Sequence, residues 1–272
     1  MTRHTPEIIR IRNDNADFQL LETLGRNREK RRKTGLFVVE GVRAINLALS
    51  HGWTFEGLIM PEDTSLSRWG SDVLERAQAG KHYLVVKEGF ELLTGRNEGS
   101  ELLALLRLPA DDPARLPRTP DLRVVLLDRP SSPGNLGSTL RSCDAFGIGG
   151  VAVVGHGVDP YSPEAVRAST GSLLSVPVVH FAGPKEVRAW LDGLNFPVRV
   201  VGSDERGEMQ ARAFDWAGPL VLAAGNETHG LSAGLRDLCD ATLQIPITGS
   251  ASSLNVAVAT SILLYEWSSA RA

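Results

Sequence analysis

Three polar stretches of this 272-residue chain carry side chains whose types and spacing could do chemistry. The first, Asn135-Leu136-Gly137-Ser138-Thr139-Leu140-Arg141, puts an amide and a guanidinium on one predicted helix that opens near Asn135 and stops at Gly147. An arginine close to helix N-terminal N–H groups is placed to meet a phosphate or carboxylate. The second, Gly225-Asn226-Glu227-Thr228-His229-Gly230, holds a carboxylate suited to acid–base or hydroxyl-orienting work within a tight glycine turn. The third runs from Ile245-Pro246-Ile247 through a low-bulk loop to Ser253-Leu254-Asn255. Its backbone can approach a ligand closely, with Ser253 and Asn255 as polar groups in an apolar setting. Taken singly, each stretch is equally a turn or a helix cap.

The elements that must position these residues follow from periodicity. Apolar strands are predicted at 124–127, 151–154, 176–179, 198–201, 220–224 and 243–247, with helices at 135–146, 163–170, 184–193, 230–239 and 254–268. Strands apolar on both faces and alternating with helices predict an α/β fold with a parallel sheet covered on both sides. Ligands of such sheets bind beyond the carboxyl ends of the strands, where all three stretches fall. Two nucleotide fingerprints fail here. Gly134 to Thr139 has no Lys before its Ser/Thr, and Gly147-Ile148-Gly149-Gly150 leads into a strand rather than out of one. Four prolines from Pro109 to Pro120 predict a linker at 111–120, separating residues 1–110 from 121–272. Ahead of it, an amphipathic helix from Asp14 to Arg26, a strand at 36–39, a helix at 41–51, and further apolar runs at 57–60 and 83–86 separated by a polar helical stretch near 65–79 predict a smaller α/β domain.

Composition narrows the function classes. At 42% hydrophobic and 22% charged residues the chain can bury a proper core. No apolar run reaches the roughly 18–20 residues that span a bilayer, and the polar stretch Met1 to Arg12 lacks a secretory apolar segment. Cys143 and Cys239 are far apart and read as buried thiols of a reducing compartment, hence a cytoplasmic protein. The six histidines form no metal-ligand spacing, so no metal is expected. A net charge of −3 argues against binding nucleic acid by bulk charge, yet six of the eight residues from Arg26 to Lys33 are basic. Arg26, Arg28, Lys30, Arg31, Arg32 and Lys33 are either a solvated helix face or a phosphate-contacting patch.

In order and spacing, the three stretches resemble the SpoU/TrmH family of RNA methyltransferases. The family signatures N-x-G-x-x-x-R-x-x-x-x-F-G, G-N-E-x-x-G and I-P-M followed by S-L-N-V read here as NLGSTLRSCDAFG, GNETHG and IPITGSASSLNV. The departures are Ile247 for methionine and Ser138 for a commoner alanine. Phe37-Val38-Val39-Glu40-Gly41-Val42-Arg43 resembles the L30e-like substrate-binding domain often fused to that family.

The resemblance implies a homodimer whose parallel α/β domain carries a C-terminal trefoil knot, a feature that periodicity would not predict. It implies S-adenosylmethionine held by Gly225, Ile245, Ile247 and Leu254, with Gly202 and Ser203 beside them, and methyl transfer to a ribose 2′-hydroxyl of structured RNA. Arg141 would be the central catalytic residue, with Asn135, Glu227, Ser253 and Asn255 positioning it and the substrate. Because a guanidinium is not readily deprotonated, Arg141 is expected to bind the target phosphate and stabilise negative charge while the proton leaves by another acceptor. The N-terminal domain and the basic run would grip the RNA through shape, phosphates and 2′-hydroxyls. By analogy the RNA is 23S ribosomal RNA, modified for housekeeping or for antibiotic resistance. Transfer RNA is the alternative substrate, and an RNA-binding protein that has lost catalysis is a rival reading.

Overall fold

The computed structural model describes residues 5–12, 15–94 and 100–270. The chain divides into two compact units, one formed by Met1–Ala110 with Tyr161–Ser175 and the other by Asp111–Pro160 with Val176–Ala272.

In the first unit the elements are β1 (Glu7–Ile11), α1 (Ala16–Arg26), α2 (Arg28–Thr34), β2 (Leu36–Glu40), α3 (Val42–Ser50), β3 (Phe55–Pro61), α4 (Arg68–Ala77), β4 (Lys81–Val85), α5 (Lys87–Thr94) and β5 (Leu103–Arg107). The strands form a sheet in the order β1-β4-β3-β5-β2. In it β5 runs antiparallel to both neighbours, and β1, β4 and β3 run parallel. The amide of Asn15 caps α1 by accepting from the Asp17 N–H, and Asp14, where the helix was expected to open, lies outside the described residues. Phe18, Leu21 and Leu24 fall on one face of α1 and bury against Ile59, Leu103 and Leu105 of the sheet. Asn27 ends α1, and its side chain accepts from the Lys30 N–H to open α2. The basic run is therefore a helix, closed by Gly35 in the left-handed region at φ 68°. Strands β1 and β5 escaped the periodicity reading. The first is an edge strand bracketed by charges, and the second is too short and uniformly apolar to distinguish from a helix segment.

In the second half of the chain come β6 (Arg123–Asp128), α6 (Pro133–Ala145), β7 (Gly150–Val154), α7 (Pro163–Ala168), β8 (Val178–Phe181), α8 (Pro184–Asp192), β9 (Arg199–Ser203), β10 (Met209–Gln210), β11 (Leu220–Ala224), α9 (Ala233–Arg236), β12 (Ala241–Gln244) and α10 (Val256–Ser269). Seven strands pair in parallel throughout, in the order β10-β12-β9-β11-β6-β7-β8. Alternate positions such as Leu126, Val154 and Ala223 pack on Val187 and Trp190 of α8 and Leu235 of α9. On the opposite face Leu127 meets Leu136 and Thr139 of α6 and Val256 of α10. Both faces are covered, which is why the strands are apolar without alternation.

Several boundaries differ from the sequence expectation. Helix α7 is short, ending before Thr170 and Gly171, both at positive φ, and it packs with the first unit. Residues 111–120 are not a free tether: a 3₁₀ turn at Pro113–Arg115 leads to Leu116, which is buried in the core of the second unit. Strand β12 ends at Gln244 rather than continuing to residue 247, since Pro246 has no N–H for a ladder. Residues 245–255 are left free of the sheet. Helix α9 covers only four residues of the expected 230–239, because Gly230 holds a left-handed turn and Ser232 is the N-cap. Cys143 is buried and Cys239 partly so, both as free thiols that burial pushes up from their ordinary pKa, Cys239 to about 11.

Candidate active site

The carboxyl ends of β12, β9, β11 and β6 stand side by side in the sheet, so the loops that leave them converge. They line a cavity of about 620 Å³ that includes Ser203, Gly225, Ile245, Ile247, Ser253 and Leu254. Five of the six residues expected at a cofactor site line it. Gly202 does not. It stands one position back in β9, where an added Cβ would meet Leu231 Cδ1 at 2.7 Å and Cys239 Sγ at 3.1 Å, so its smallness serves packing.

The Gly225 to Gly230 turn is pinned across its mouth, with the N–H groups of Asn226 and Gly230 each donating to the other's carbonyl at 3.0 Å. A Cβ on Gly225 would lie 2.3 Å from the Gly230 carbonyl carbon, so only glycine allows this closure. Within the turn, the Asn226 side chain donates to the Arg129 carbonyl at 2.7 Å and accepts from the N–H groups of Thr228 and His229. At the exit, the buried Asp128 carboxylate accepts from the Ser232 N–H and from Arg129 Nε. Arg129 itself sits at φ 48°, a conformation costing a non-glycine residue about 1 kcal/mol.

Glu227 is the hub. Its Oε2 accepts from the Ser131 N–H at 3.0 Å and the Ser131 hydroxyl at 2.7 Å. Its Oε1 accepts from the Ser132 N–H at 3.2 Å and Asn135 Nδ2 at 3.1 Å. A carboxylate only accepts, so Asn135 must turn its NH₂ toward Glu227 and its oxygen away. That oxygen takes Asn255 Nδ2 at 3.0 Å, and the Asn255 oxygen in turn caps α10 by accepting from the Ala257 and Val258 N–H groups. Glu227 thus fixes the Asn135 amide, and the α10 cap holds the Asn255 amide in the matching sense. Partial burial alone would raise the Glu227 pKa, but these donors outweigh it and hold the pKa below its ordinary value. A carboxylate so engaged is a weak base and a good anchor.

The expected catalytic residues are therefore only partly gathered. Asn135, Glu227 and Asn255 form one hydrogen-bonded chain, and Ser253 lines the adjoining cavity. Arg141 stands apart: it is exposed and makes no hydrogen bond or ion pair among the described residues. Six residues beyond Asn135 on α6, it lies about 240° around the helix and roughly 9 Å along it.

Of the basic run, Arg26, Arg32 and Lys33 are exposed and Arg28 and Lys30 partly so. Arg31 is a correction. It is 4% exposed, and its guanidinium donates to the Leu24 carbonyl at 2.6 Å, closing the end of α1 rather than facing a ligand.

The cavity also holds Asp204, Arg206, His229 and Arg236, which the sequence reading did not single out. Asp204 pairs with Arg236. Burial opposes its charge, but the Arg206 N–H and the Arg236 guanidinium overcome this and lower its pKa. His229 Nδ1 lies 3.2 Å from Asn226 Oδ1. The available signal was position alone, since these residues follow strand ends. Apolar Ile245, Ile247 and Leu254 beside the polar Ser203, Asp204 and Arg236 suit a ligand with an aromatic base and a charged tail. S-adenosylmethionine has that composition. Among the described residues, no group of three His, Cys, Asp or Glu side chains could hold a metal, and no helix is long and apolar enough to cross a membrane.

Comparison with known proteins gives a consistent picture. The profile of the SpoU rRNA Methylase family matches residues 122–265, and that of the SpoU L30e-like domain matches residues 15–104. The 23S rRNA (uridine(2479)-2′-O)-methyltransferase of Streptomyces viridochromogenes is 43% identical over 265 residues, covering 96% of this chain and 92% of that protein. RlmP of Bacillus subtilis, a 23S rRNA (guanosine(2553)-2′-O)-methyltransferase, is 27% identical over 250 residues, covering 92% and 93%. Among solved structures, the SpoU methyltransferase AviRb from Streptomyces viridochromogenes in complex with AdoMet superposes with a TM-score of 0.89 at 43% identity, over 94% of this chain and 98% of that one. An AdoMet-bound rRNA methyltransferase from Sinorhizobium meliloti superposes with a TM-score of 0.85 at 29% identity, over 96% and 97%.

Proposed function

The chain belongs to the SpoU rRNA methylase family, and on that footing we propose that it transfers a methyl group from S-adenosylmethionine to a ribose 2′-hydroxyl of 23S ribosomal RNA. The observation that carries this is the 43% identity, over nearly the whole of both chains, to an enzyme named for that reaction. When bound, S-adenosylmethionine supplies a methyl carbon on a positively charged sulfur. Alignment of the acceptor oxygen is left to the chain, and the proton of the methylated hydroxyl leaves to water. Ser203, Gly225, Ile245, Ile247 and Leu254 hold the cofactor, and Asn135, Ser253 and Asn255 face the acceptor. Glu227 orients the Asn135 amide and does not take the proton. Arg141 binds the target phosphate and stabilises negative charge, and the basic face of α2 grips RNA backbone, with residues 1–110 choosing the RNA and 121–272 transferring the methyl group.

The test is methyl transfer from labelled S-adenosylmethionine to ribosomal RNA, followed by nuclease digestion and primer-extension mapping. Label in a 2′-O-methyl nucleoside of 23S rRNA is the expected result. Label in a base, in transfer RNA only, or nowhere would sink the proposal. The two relatives modify different nucleotides, so the mapping rather than the similarity assigns the position. In the same assay Arg141→Lys is expected to lose at least about tenfold in kcat/KM, because lysine cannot reproduce the two-pronged guanidinium contact with a phosphate. Full retention would remove the phosphate-fork role.

We further propose a cytoplasmic homodimer. Val258 and Tyr265 of α10 are 49% and 58% exposed, and they border a groove of about 400 Å³ between α6 and α10. Exposed apolar surface of this kind supports association of two copies. Asn135 and Asn255 line the same groove, so a second copy there would cover the acceptor side of the site. The entry of β12 between β9 and β10, both earlier in the chain, supports the family's trefoil knot.

A further inference from the structure

The first unit contains a cavity of about 250 Å³ that the methyl-transfer site does not use. Its floor is sheet: Val38 of β2, Ile59 of β3 and Leu103 of β5, with Ile59 and Leu103 fully buried. Helices α1, α5 and α7 wall it. Two features mark it as built for a ligand rather than left over from packing.

Gly25 lines it from the last turn of α1, and a Cβ there would meet nothing within 4 Å. Gly25 is exposed, so its missing side chain leaves the mouth of the cavity open, at a cost to the helix of about 1 kcal/mol relative to alanine. Glu40 is the second feature. Residues of β2 alternate, with Phe37 and Val39 buried on one face and Val38 and Glu40 on the other, so Glu40 shares the cavity face with Val38. Its carboxylate, half-buried beside Val38, makes no hydrogen bond or ion pair among the described residues, and Glu22 and Thr94 are the other uncharged or acidic polar side chains of the lining. The rim is cationic: Arg167 is exposed with no partner among the described residues, and Arg26, bonded to Glu22 at 3.0 Å, leads into the basic run of α2.

We propose that this cavity receives one unstacked guanine base of the RNA, with Glu40 reading its Watson–Crick edge and the arginine rim holding the flanking phosphates. This rests on the reading of the chain as an RNA methyltransferase. The volume lies just under the roughly 300–1,000 Å³ of ordinary ligand pockets, which suits a single planar ring system. Single-stranded RNA bases are commonly recognised when splayed out into such sites. A carboxylate accepts only. Guanine alone offers two adjacent donors, N1–H and the 2-amino group, on that edge. Adenine and cytosine offer one donor beside an acceptor, and uracil one donor between two carbonyls.

The experiment uses the full-length protein with S-adenosylhomocysteine at saturation, so that no nucleotide enters the cofactor cavity. GMP, IMP, AMP and UMP are titrated while the methyl resonances of Val38 and Leu92, which line the cavity with accessible surface, are followed by NMR. GMP is expected to shift both methyls and to bind about tenfold more tightly than AMP, UMP or IMP, which lacks the 2-amino group, the worth of one hydrogen bond to a charged partner. Glu40→Gln should erase the GMP preference. Gly25→Leu should abolish the shifts without lowering Tm, since leucine is favoured over glycine in a helix.

The proposal is overturned if GMP leaves both methyls unmoved, or if Glu40→Gln or Gly25→Leu binds GMP as the parent does. Methyl transfer to ribosomal RNA is measured on the same preparation. Transfer without a GMP shift rejects the guanine pocket alone, whereas loss of transfer in the unaltered protein rejects the proposed function.

Discussion

Glu227 takes four donors from Ser131, Ser132 and Asn135 and connects through Asn135 to Asn255. Replacing it by glutamine puts an NH₂ where an acceptor is needed and frees the Asn135 amide to turn, while the Asn255 oxygen stays held by α10. Glu227→Gln is expected to lower kcat/KM by about 10- to 100-fold, the range for leaving such a polar group unpaired. Cofactor affinity measured by calorimetry should change far less. Direction in pH follows from the pKa, which is lower in the folded protein than in the unfolded chain. The stability Glu227 contributes is therefore fully present above its unfolded value of about 4.3 and is lost as pH falls through the lower, folded value. Denaturation curves of the parent and Glu227→Gln should stay a constant distance apart from pH 6 to 8 and converge only in acid. Convergence near neutrality would mean that the network, as described, does not hold the charge. Glu227 was legible as a polar residue at a strand end. Its partners 92 to 96 positions away were not, because a turn's sequence carries no record of which loop faces it.

At the scale of elements, α2 separates outward-facing charge from charge built into the fold. With five basic residues in seven it reads as a uniform patch, yet Arg31 turns inward to the end of α1 while Lys30, Arg32 and Lys33 face outward to differing degrees. The double change Lys30→Glu and Arg32→Glu should weaken RNA binding and flatten its salt dependence by about two units of slope, without moving Tm. Arg31→Ala should do the reverse, costing roughly 1–3 kcal/mol of stability for the unpaired Leu24 carbonyl and buried space. If Arg31→Ala left Tm unchanged but weakened RNA binding, the assignment of Arg31 to the helix end would fail. The loop after β12 belongs to this scale too. Pro246 forbids continuation of the strand, and the freed segment supplies Ile245, Ile247, Ser253 and Leu254 to the cavity wall.

For the whole molecule, the exposed apolar face of α10 makes oligomeric state the measurable quantity. Sedimentation of the unaltered protein should give a dimer, and Val258→Asp should give a monomer that remains folded, since Val258 is half exposed in one copy. A stable dimer buries on the order of 1,000 Å² or more, so one charge at its middle is enough to separate the copies. A monomeric parent protein would remove the dimer and with it the closing of the acceptor groove by a second copy.

The sequence alone determined most of the elements, the parallel arrangement of the second sheet and the positions of the three motif stretches at strand ends. These depend on local periodicity, capping residues and glycine turns, each readable within a dozen residues. Only the tertiary structure decided which side chains meet: that the Glu227 carboxylate is tied to Ser131, Ser132 and Asn135, that Gly202 packs rather than lines the cavity, and that Arg31 is buried while Arg141 has no partner among the described residues. It also joined residues 161–175 to the first unit and set Glu40 beside an open cavity. Such pairings are fixed by the order in which strands enter a sheet, and strand order is a property of the whole chain's packing that no local stretch encodes.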